Sequence, residues 1–364
     1  MMSSSIAQNV VNQSLRIRED DVVHITTSRR MIDLADEIAI ECRKAGAETS
    51  TLFWSEPVWY WSLQNVPLEW LRGASKTDLA LLDVATAIVN IGGPADPGPM
   101  ASISPERWAA NSEGADYSYR KFLERKVRSA TVALGIVTPQ RARAYGFSYA
   151  SWKRATQAAL KADYSKIAAA GGKLRELLES PSRRVHIIAK NGTDLEFRLV
   201  GRKCWVDDGI LDDEDLSAGT FETTLPAGCV FVAPEESSAN GTVVFDLPIP
   251  QRGKLIRGLS WSFENGQVKK FTATKNGDMV IPVWEKSTGD RSRFGRFGIG
   301  INYAARAGYL ANQIVSGAVT LGVGDNKMIG GGNVSTFQFE GTLRKSTVIV
   351  DGQTVVSKGK LQLL

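Results

Sequence analysis

Along roughly the first 180 residues, short apolar runs alternate with segments whose apolar residues recur at helical spacing. The runs DVVHITT, TSTLFW, ATAIVNIGG and SATVALGIV are rich in β-branched residues and predict strands. The segment MIDLADEIAIECRKAG predicts a helix that ends near Gly46, and its apolar residues at near-helical spacing are Ile32, Leu34, Ala35, Ile38 and Ile40. This βαβ rhythm predicts an α/β domain over residues 1–180, with a largely parallel sheet and helices on both faces.

The pattern changes after the segment from Trp152 to Leu178, which predicts a long helix interrupted near Gly171 and Gly172. From there, β-rich runs such as RVHIIAK, CVFVAPEE and STVIVDG are separated by turn signals, and the ENG and DG dipeptides predict hairpins. One helix is expected around Tyr303 to Val315. Residues 181–364 are therefore predicted to form an α+β, mostly antiparallel domain.

Composition narrows the possible partners. The chain has 364 residues, which fits two domains, and its 44 basic and 39 acidic residues give a formal charge of +5. No run of five Lys or Arg occurs, so no nucleic-acid partner is expected. The longest apolar windows are too short to span a bilayer, and the amino terminus has no apolar signal region. These features predict a cytoplasmic protein without a membrane partner.

Motifs for common enzyme chemistries are missing from the sequence. The three cysteines, Cys42, Cys204 and Cys229, have no CxxC spacing, and the two histidines, His24 and His186, lie inside strand-like runs. Neither GxSxG nor HExxH occurs, and the glycine pairs of GIGIN and LGVGD do not open a helix within a βαβ unit. We therefore expect no nucleotide cofactor.

The second half carries an ordered series of phrases that resembles the M29 family, the thermophilic aminopeptidase or aminopeptidase T group, whose relatives include iron-dependent 2,5-dihydroxypyridine dioxygenases. The phrases are NGTDLEFRLVGR, LPAGCVFVAPEESSANGTVVFD, FENGQV, FGIGIN, GAVTLGVGDN and FQFEGTLRKSTVIVDG. The resemblance implies an M29 aminopeptidase-like scaffold, a homodimer with a sequestered cavity, and a binuclear metal centre in the second domain.

The chain departs from the family at the positions that the resemblance assigns to metal binding. The family's metal-binding glutamate in the LPAGCVF phrase falls on Cys229, and a second glutamate falls on Arg296. The remaining family positions, a histidine, a glutamate, a closing His-x-Asp pair and a tyrosine, fall on Thr320, on Gln313, on Gln338 with Glu340, and near Lys327. A binuclear centre needs several carboxylate or imidazole ligands, so we expect no metal at these positions.

Two interpretations of these departures follow. In the first, the pocket performs a metal-independent hydrolytic or lyase step on a small, carboxylate-bearing molecule. Glu340 and Cys229 are then the candidate catalytic groups, and the candidate substrate-binding residues are Arg296, Thr320, Gln338, Gln313 and Lys327. An adjacent Arg296 would lower the pKa of the Cys229 thiol and favour the thiolate. In the second, the chain is a non-catalytic binding or assembly subunit, and Cys229 is a small core residue. A metal-dependent aminopeptidase is the third alternative.

Overall fold

The computed structural model describes residues 5–180, 183–251 and 253–362. Contacts divide the chain into two units. The first unit runs to Tyr164 and also takes in Gly209–Pro226, and the second contains Ser165–Asp208 and the chain from Ala227 onward. The sequence predicts a division into residues 1–180 and 181–364, with a single boundary between the domains. In the structure, the chain passes from one unit to the other three times.

Eleven α-helices and twenty β-strands make up the regular structure of the described residues. The helices are α1 (Ile6–Gln8), α2 (Ile32–Lys44), α3 (Glu56–Asn65), α4 (Leu68–Arg72), α5 (Lys76–Val84), α6 (Pro105–Glu124), α7 (Pro139–Tyr145), α8 (Tyr149–Leu160), α9 (Tyr164–Glu179), α10 (Asp213–Ser217) and α11 (Ile281–Lys286). The strands are β1 (Val22–Thr27), β2 (Glu48–Phe53), β3 (Ala87–Ile91), β4 (Arg128–Val132), β5 (Arg183–Ala189), β6 (Thr193–Leu199), β7 (Trp205–Asp207), β8 (Glu222–Leu225), β9 (Cys229–Val232), β10 (Asn240–Val244), β11 (Ile249–Gln251), β12 (Lys254–Ile256), β13 (Ser260–Glu264), β14 (Gln267–Thr272), β15 (Phe294–Gly300), β16 (Val319–Gly324), β17 (Gln338–Leu343), β18 (Thr347–Val350), β19 (Gln353–Ser357) and β20 (Lys360–Leu361).

The first unit is built on a five-stranded sheet in the order β2-β1-β3-β4-β8, and all of its strand pairs are parallel. Val23 and Ile25 of β1, Val89 of β3 and Ala130 of β4 are buried side by side on one face of this sheet. The predicted α/β class of the N-terminal part is therefore confirmed.

Helix α2 begins close after β1 and buries Leu34, Ala35, Ile38 and Cys42. These positions lie along one side of the helix, so they form one continuous stripe. The sequence pattern assigns Ile32 and Ile40 to the same apolar face, but they are 43% and 55% exposed, respectively. The helix therefore buries a narrower stripe than the sequence pattern predicts.

The second unit contains two larger sheets and a two-stranded ribbon, β11-β12. The eight-stranded sheet has the order β14-β13-β10-β6-β5-β18-β19-β20, and the five-stranded sheet has the order β17-β16-β15-β9-β7. The strand pairs are antiparallel in both sheets, which confirms the mainly antiparallel C-terminal architecture. The two sheets meet through Phe197 of β6, whose ring lies 4.9 Å from Phe294 and 5.1 Å from Phe297 of β15.

The two predicted hairpin turns occupy their expected places. Asn265 and Gly266 connect β13 to β14 with φ values of 49° and 74°, and Asp351 and Gly352 connect β18 to β19 with φ values of 46° and 85°. Positive φ at both central residues is the requirement of a type I′ turn, which matches the twist of the flanking strands.

Two helix predictions are wrong in detail. The interruption near Gly171 and Gly172 does not exist, because α9 runs through both glycines and the break lies between α8 and α9. A Cβ atom at Gly171 would lie 2.5 Å from Val206 Cγ1, so close packing on β7 explains this glycine. The helix expected around Tyr303 to Val315 is replaced by a loop with one 3₁₀ turn at Asn312–Ile314.

The side chain of Asn302 explains that loop. Its Oδ1 atom accepts hydrogen bonds from the N–H groups of Ala304 and Ala305, at 3.0 and 3.1 Å. Gly308 has a φ of 103°, which a helix does not allow.

In the described part of the chain, no helix is both long and apolar enough to cross a bilayer.

Candidate functional site

Arg296 and Glu340 lie on one face of the five-stranded sheet of the second unit, on either side of Gly322. The strand register places Gly322 of β16 opposite Glu340 of β17 and opposite Arg296 of β15. A Cβ atom at Gly322 would lie 3.0 Å from Arg296 Cβ and 3.1 Å from Glu340 Cγ. The glycine therefore leaves the space that lets the two charged side chains meet across the middle strand.

The two side chains form an ion pair between Arg296 Nη1 and Glu340 Oε1. They are 22% and 29% exposed, so water screens the pair less than it screens a surface pair. The Arg296 guanidinium also stacks over Phe231 of β9, with Cζ 4.1 Å from the ring centroid. These two contacts fix the cation in one orientation on the sheet.

A cavity of about 120 Å³ opens beside Glu340. Its floor includes Thr320 of β16 and Thr342 of β17, whose hydroxyl oxygens are 3.1 Å apart. Its lining residues are Pro248, Ile249, Pro250, Leu310, Asn312, Gln313, Thr320, Glu340, Gly341 and Thr342. Three of the predicted site residues, Gln313, Thr320 and Glu340, are thus brought together around one small space.

Cys229 is the first residue of β9 and lies opposite Gly300 of β15. Its thiol is buried, and burial raises its pKa to about 12. Burial is the largest cause of this shift, the negative charges of Asp207 and Glu340 act in the same direction, and Arg296 opposes them only in part. Arg296 lowers the thiol pKa, as expected, but the desolvation cost outweighs this cation, so the net pKa is raised and the thiolate is not favoured.

Gln338 and Lys327 lie apart from the cavity lining. Gln338 is exposed at the start of β17, opposite Gly324. Lys327 is exposed in a 3₁₀ turn, where its backbone N–H donates to Asp325 Oδ1 at 3.3 Å. Neither residue lines the cavity, and neither does Arg296, so their contact with substrate stays a prediction.

A polar cluster holds the loop that follows β16. Arg202 donates to both carboxylate oxygens of Glu236, at 2.6 and 2.9 Å, and the N–H of Gly332 donates to Glu236 Oε1 at 2.7 Å. Asn326 bridges this carboxylate to the carbonyl of Gly295, next to Arg296. Burial alone would raise the pKa of Glu236, but the hydrogen bonds from Arg202 and Gly332 outweigh it and lower the pKa to about 2.

Several residues of the site are absent from the sequence prediction. Thr342, Phe231 and Gly322 contribute to the sheet face, although the sequence patterns assign them no role. Alternation along β17 could have identified Thr342, because residues two apart in a strand point to the same face as Glu340. The places of Phe231 and Gly322 depend on how strands that are distant in sequence align with one another, and hydrophobic periodicity does not predict that register.

The residues of this face do not fit a binuclear metal centre. In residues 5–180, 183–251 and 253–362, no group of three or more His, Cys, Asp or Glu side chains is placed to hold a metal ion. Of the positions that the resemblance assigns to metal binding, Glu340 alone has a carboxylate, and that carboxylate is bound to Arg296. A fixed guanidinium repels a divalent cation at this range.

Comparisons with known proteins identify relatives with the same architecture. AmpT from Thermus thermophilus superposes with a TM-score of 0.71 at 17% sequence identity and 98% coverage of both chains. The 2,5-dihydroxypyridine dioxygenase from Pseudomonas putida KT2440 superposes with a TM-score of 0.58 at 15% identity, covering 99% of this chain and 96% of the other. At such identities these likenesses establish the fold alone.

Two curated relatives match shorter segments. Aminopeptidase AmpS from Bacillus subtilis (strain 168) is 28% identical over 98 residues, which is 27% of this chain and 23% of that protein. Aminopeptidase PepS from Streptococcus thermophilus is 30% identical over 109 residues, which is 30% of this chain and 25% of that protein. The matched segments thus span about a quarter of either relative.

The family model described as thermophilic metalloprotease (M29) matches residues 3–305 and so covers most of the chain. It extends through the first unit, where the sequence resemblance rested on the α/β rhythm alone. Together with the shared fold, this match establishes that the chain belongs to the M29 family.

Proposed function

We propose that this chain uses the polar face of its five-stranded sheet to bind a small, carboxylate-bearing molecule and to act on it without a binuclear metal centre. The observation that carries the proposal is the Arg296–Glu340 ion pair beside the cavity. In this pair, Arg296 is a cation that can bind a carboxylate, and Glu340 is a group that can act as an acid or base. A hydrolytic or lyase step fits this set of groups better than a redox step does.

The proposed sequence of events begins with an exchange of partners. The carboxylate of the substrate takes the place of Glu340 on the Arg296 guanidinium, which forms bidentate contacts with carboxylates readily. Glu340 is then released toward the cavity, where Thr320 and Thr342 offer hydroxyl groups to orient the rest of the molecule. The freed carboxylate can accept a proton from the bound molecule or from an attacking water.

Cys229 has no step in this scheme. Its thiol is buried and protonated, so a nucleophilic role would require a large change in its surroundings. The exposed amide of Gln338 and the exposed Lys327 likewise have no step. Gln313, which lines the cavity, is kept as a candidate substrate-binding residue.

A binding screen on the purified full chain tests the proposal. Thermal unfolding is measured with a panel of small mono- and dicarboxylic acids and amino acids, and the metal content is measured on the same sample. We expect at least one carboxylate to stabilise the protein in a concentration-dependent manner. The stabilisation should disappear in Arg296→Met but persist in Arg198→Met, since Arg198 is an exposed arginine that pairs with Glu235 elsewhere in the unit.

Turnover separates the candidate catalytic groups. For a carboxylate found in the screen, Glu340→Gln should abolish product formation while leaving binding, and Cys229→Ala should leave turnover within about twofold. Stoichiometric bound zinc, cobalt or iron, together with cleavage of an aminoacyl substrate, would instead support a metal-dependent aminopeptidase, the activity named for the curated relatives.

A second candidate function is a non-catalytic binding or assembly subunit. The observation that favours it is the mutual neutralisation of Arg296 and Glu340, because a site in which each charge satisfies the other has no need of a substrate. Absence of any carboxylate-dependent stabilisation, with the fold intact, supports this alternative. A cytoplasmic homodimer remains part of the proposal in either case, and light scattering of the purified chain tests the dimer.

A further inference from the structure

The parallel sheet of the first unit has a topological switch point between β1 and β3. Strand β1 lies beside both β2 and β3, so the chain crosses to one side of β1 for β2 and to the other side for β3. Connections that leave in opposite directions open a crevice outside the carboxyl ends of the two strands, and open α/β sheets bind ligands there. The residues after Thr27 and Ile91 border this crevice.

Ser28 is the first residue after β1 and is buried, with 3% of its surface exposed. Its Oγ atom has no hydrogen-bond partner among the described residues. A buried hydroxyl without a partner loses its hydration without compensation, so such a group in a folded protein calls for an explanation. A bound ligand atom would supply the partner that the chain does not.

The loop after β3, Gly93–Asp96, is fixed by side chains from three other segments. Each of its four consecutive carbonyl oxygens accepts a hydrogen bond from one donor. In chain order of the carbonyls, the donors are Arg30 Nη2 at 3.0 Å, Arg141 Nη2 at 2.7 Å, Thr138 Oγ1 at 2.5 Å and Tyr60 Oη at 2.8 Å. The N–H of Ala95 in turn donates to Glu56 Oε1 at 2.8 Å. The loop therefore has little conformational freedom and carries two guanidinium groups on its carbonyls.

The charge at this edge is positive and only partly compensated. Arg30 is paired with Glu56, with 3.2 Å between Nη1 and Oε2. Arg141 makes no ion pair in the described residues, and its Nε atom is buried without a hydrogen-bond partner. Burial lowers the pKa of Arg141, and the nearby negative charges of Glu56 and Asp96 offset this only in part. Arg29 adds a third, exposed guanidinium over the ring of Phe53.

Gly92 leaves free space at the same place. A Cβ atom at Gly92 would meet no atom within 4 Å, although Gly135 packs so closely that its own Cβ would lie 2.5 Å from the Gly92 nitrogen. The backbone at Gly92 is thus held tightly on one side and open on the other. Glycine at such a point lets a ligand approach the main chain.

We propose that Ser28, Arg29 and Arg141 bind an oxyanion of a small molecule, a phosphate or a carboxylate, in the crevice between the ends of β1 and β3. The Ser28 hydroxyl and the unpaired nitrogen of Arg141 donate to the anion, and Arg29 supplies long-range attraction. These residues belong to the first unit, whereas the sheet face around Arg296 belongs to the second, so the inference does not depend on the function proposed above.

Calorimetric titration of the full chain with inorganic phosphate and, separately, with malonate tests the site at constant ionic strength. We expect a millimolar dissociation constant for at least one of the two probes, which also distinguishes a phosphate from a carboxylate ligand. Ser28→Ala and Gly92→Leu should each weaken binding at least tenfold, the first by removing a donor and the second by filling the crevice. Arg141→Met should weaken it by a similar factor.

Arg154→Met is the matched control, since Arg154 is an exposed arginine of α8 whose guanidinium donates to Ser151 Oγ. Its affinity for the probe should equal that of the wild type. If Arg141→Met does not fold, the two small-residue variants still decide the question. Absence of binding heat for both probes, or equal weakening by Arg154→Met, overturns the proposal.

Discussion

The energetic coupling between Arg296 and Glu340 can be measured with a double-mutant cycle. The variants are Arg296→Met, which keeps an unbranched chain over Phe231, Glu340→Gln, and the double variant. Each single change leaves one charged side chain in a site that is less than one-third exposed, without its partner. Each should therefore lower the free energy of unfolding by about 2–3 kcal/mol.

The coupling itself should be smaller than either loss. Two unit charges about 4 Å apart interact by about 4 kcal/mol at the effective dielectric constant of a protein surface, and desolvation of both groups offsets much of this. With roughly a quarter of each side chain exposed, we expect a coupling free energy of about 1–2 kcal/mol. The loss of the stacking contact with Phe231 occurs in both Arg296 variants and cancels in the cycle.

Urea unfolding at pH 7, followed by tryptophan fluorescence, provides the free energies. Trp261, which is fully buried in the second unit, contributes to this signal. The pair Arg198 and Glu235 serves as a control cycle and should give a smaller coupling than Arg296 and Glu340, because the Arg198 side chain is 59% exposed and water screens it more fully. A coupling below about 0.3 kcal/mol for Arg296 and Glu340 would refute the reasoning, because independent sites add within that margin.

Three further outcomes are expected. A thiol reagent at pH 8 should label none of the three cysteines in the native protein and all three after unfolding. The reason is that all three are buried, and burial raises each thiol pKa to about 12. Rapid labelling of Cys229 in the native protein would contradict this. Glu236→Gln should lower the free energy of unfolding by about 1–2 kcal/mol at pH 7. The Glu236 pKa is lowered to about 2 in the folded state, so this loss should shrink as the pH falls from about 4.5 towards 2 and the carboxylate is protonated. Urea unfolding at several pH values measures the difference, and a pH-independent difference counts against the pairing with Arg202. Gly266→Ala should lower the free energy of unfolding by at least about 3 kcal/mol, because the new Cβ would lie 1.8 Å from the Glu236 carbonyl oxygen at a φ of 74°. Gly192 also has a positive φ but faces open space, so Gly192→Ala should cost about 1 kcal/mol. Equal losses in thermal unfolding would rule out the steric explanation.

The sequence predicts the elements of this fold well where the signal is local. The ENG and DG turns and the α/β rhythm are recognisable because turn chemistry and hydrophobic period depend on neighbouring residues. The helix expected near Tyr303 does not form because Asn302 captures two backbone N–H groups, a side-chain contact that competes with helix formation.

The candidate site is predictable only in part. Family resemblance indicates that Arg296 and Glu340 belong to one site, but their direct pairing depends on the register of three strands and on the absence of a side chain at Gly322. The state of Cys229 depends on the balance of burial against nearby charge, and the sequence shows only the charge. Both failures concern quantities that are set by tertiary packing.

The return of the chain to the first unit at Gly209–Pro226 has a consequence for how this protein is made. Strand β8 closes one side of the parallel sheet by pairing with β4, yet it is synthesised only after the first part of the second unit. A nascent chain that ends at Tyr164 exposes the unpaired edge of β4, which is a template for aggregation. The first unit therefore cannot be completed on the ribosome until residues well beyond its apparent end have emerged, and excision of residues 1–164 as a fragment should give an insoluble product.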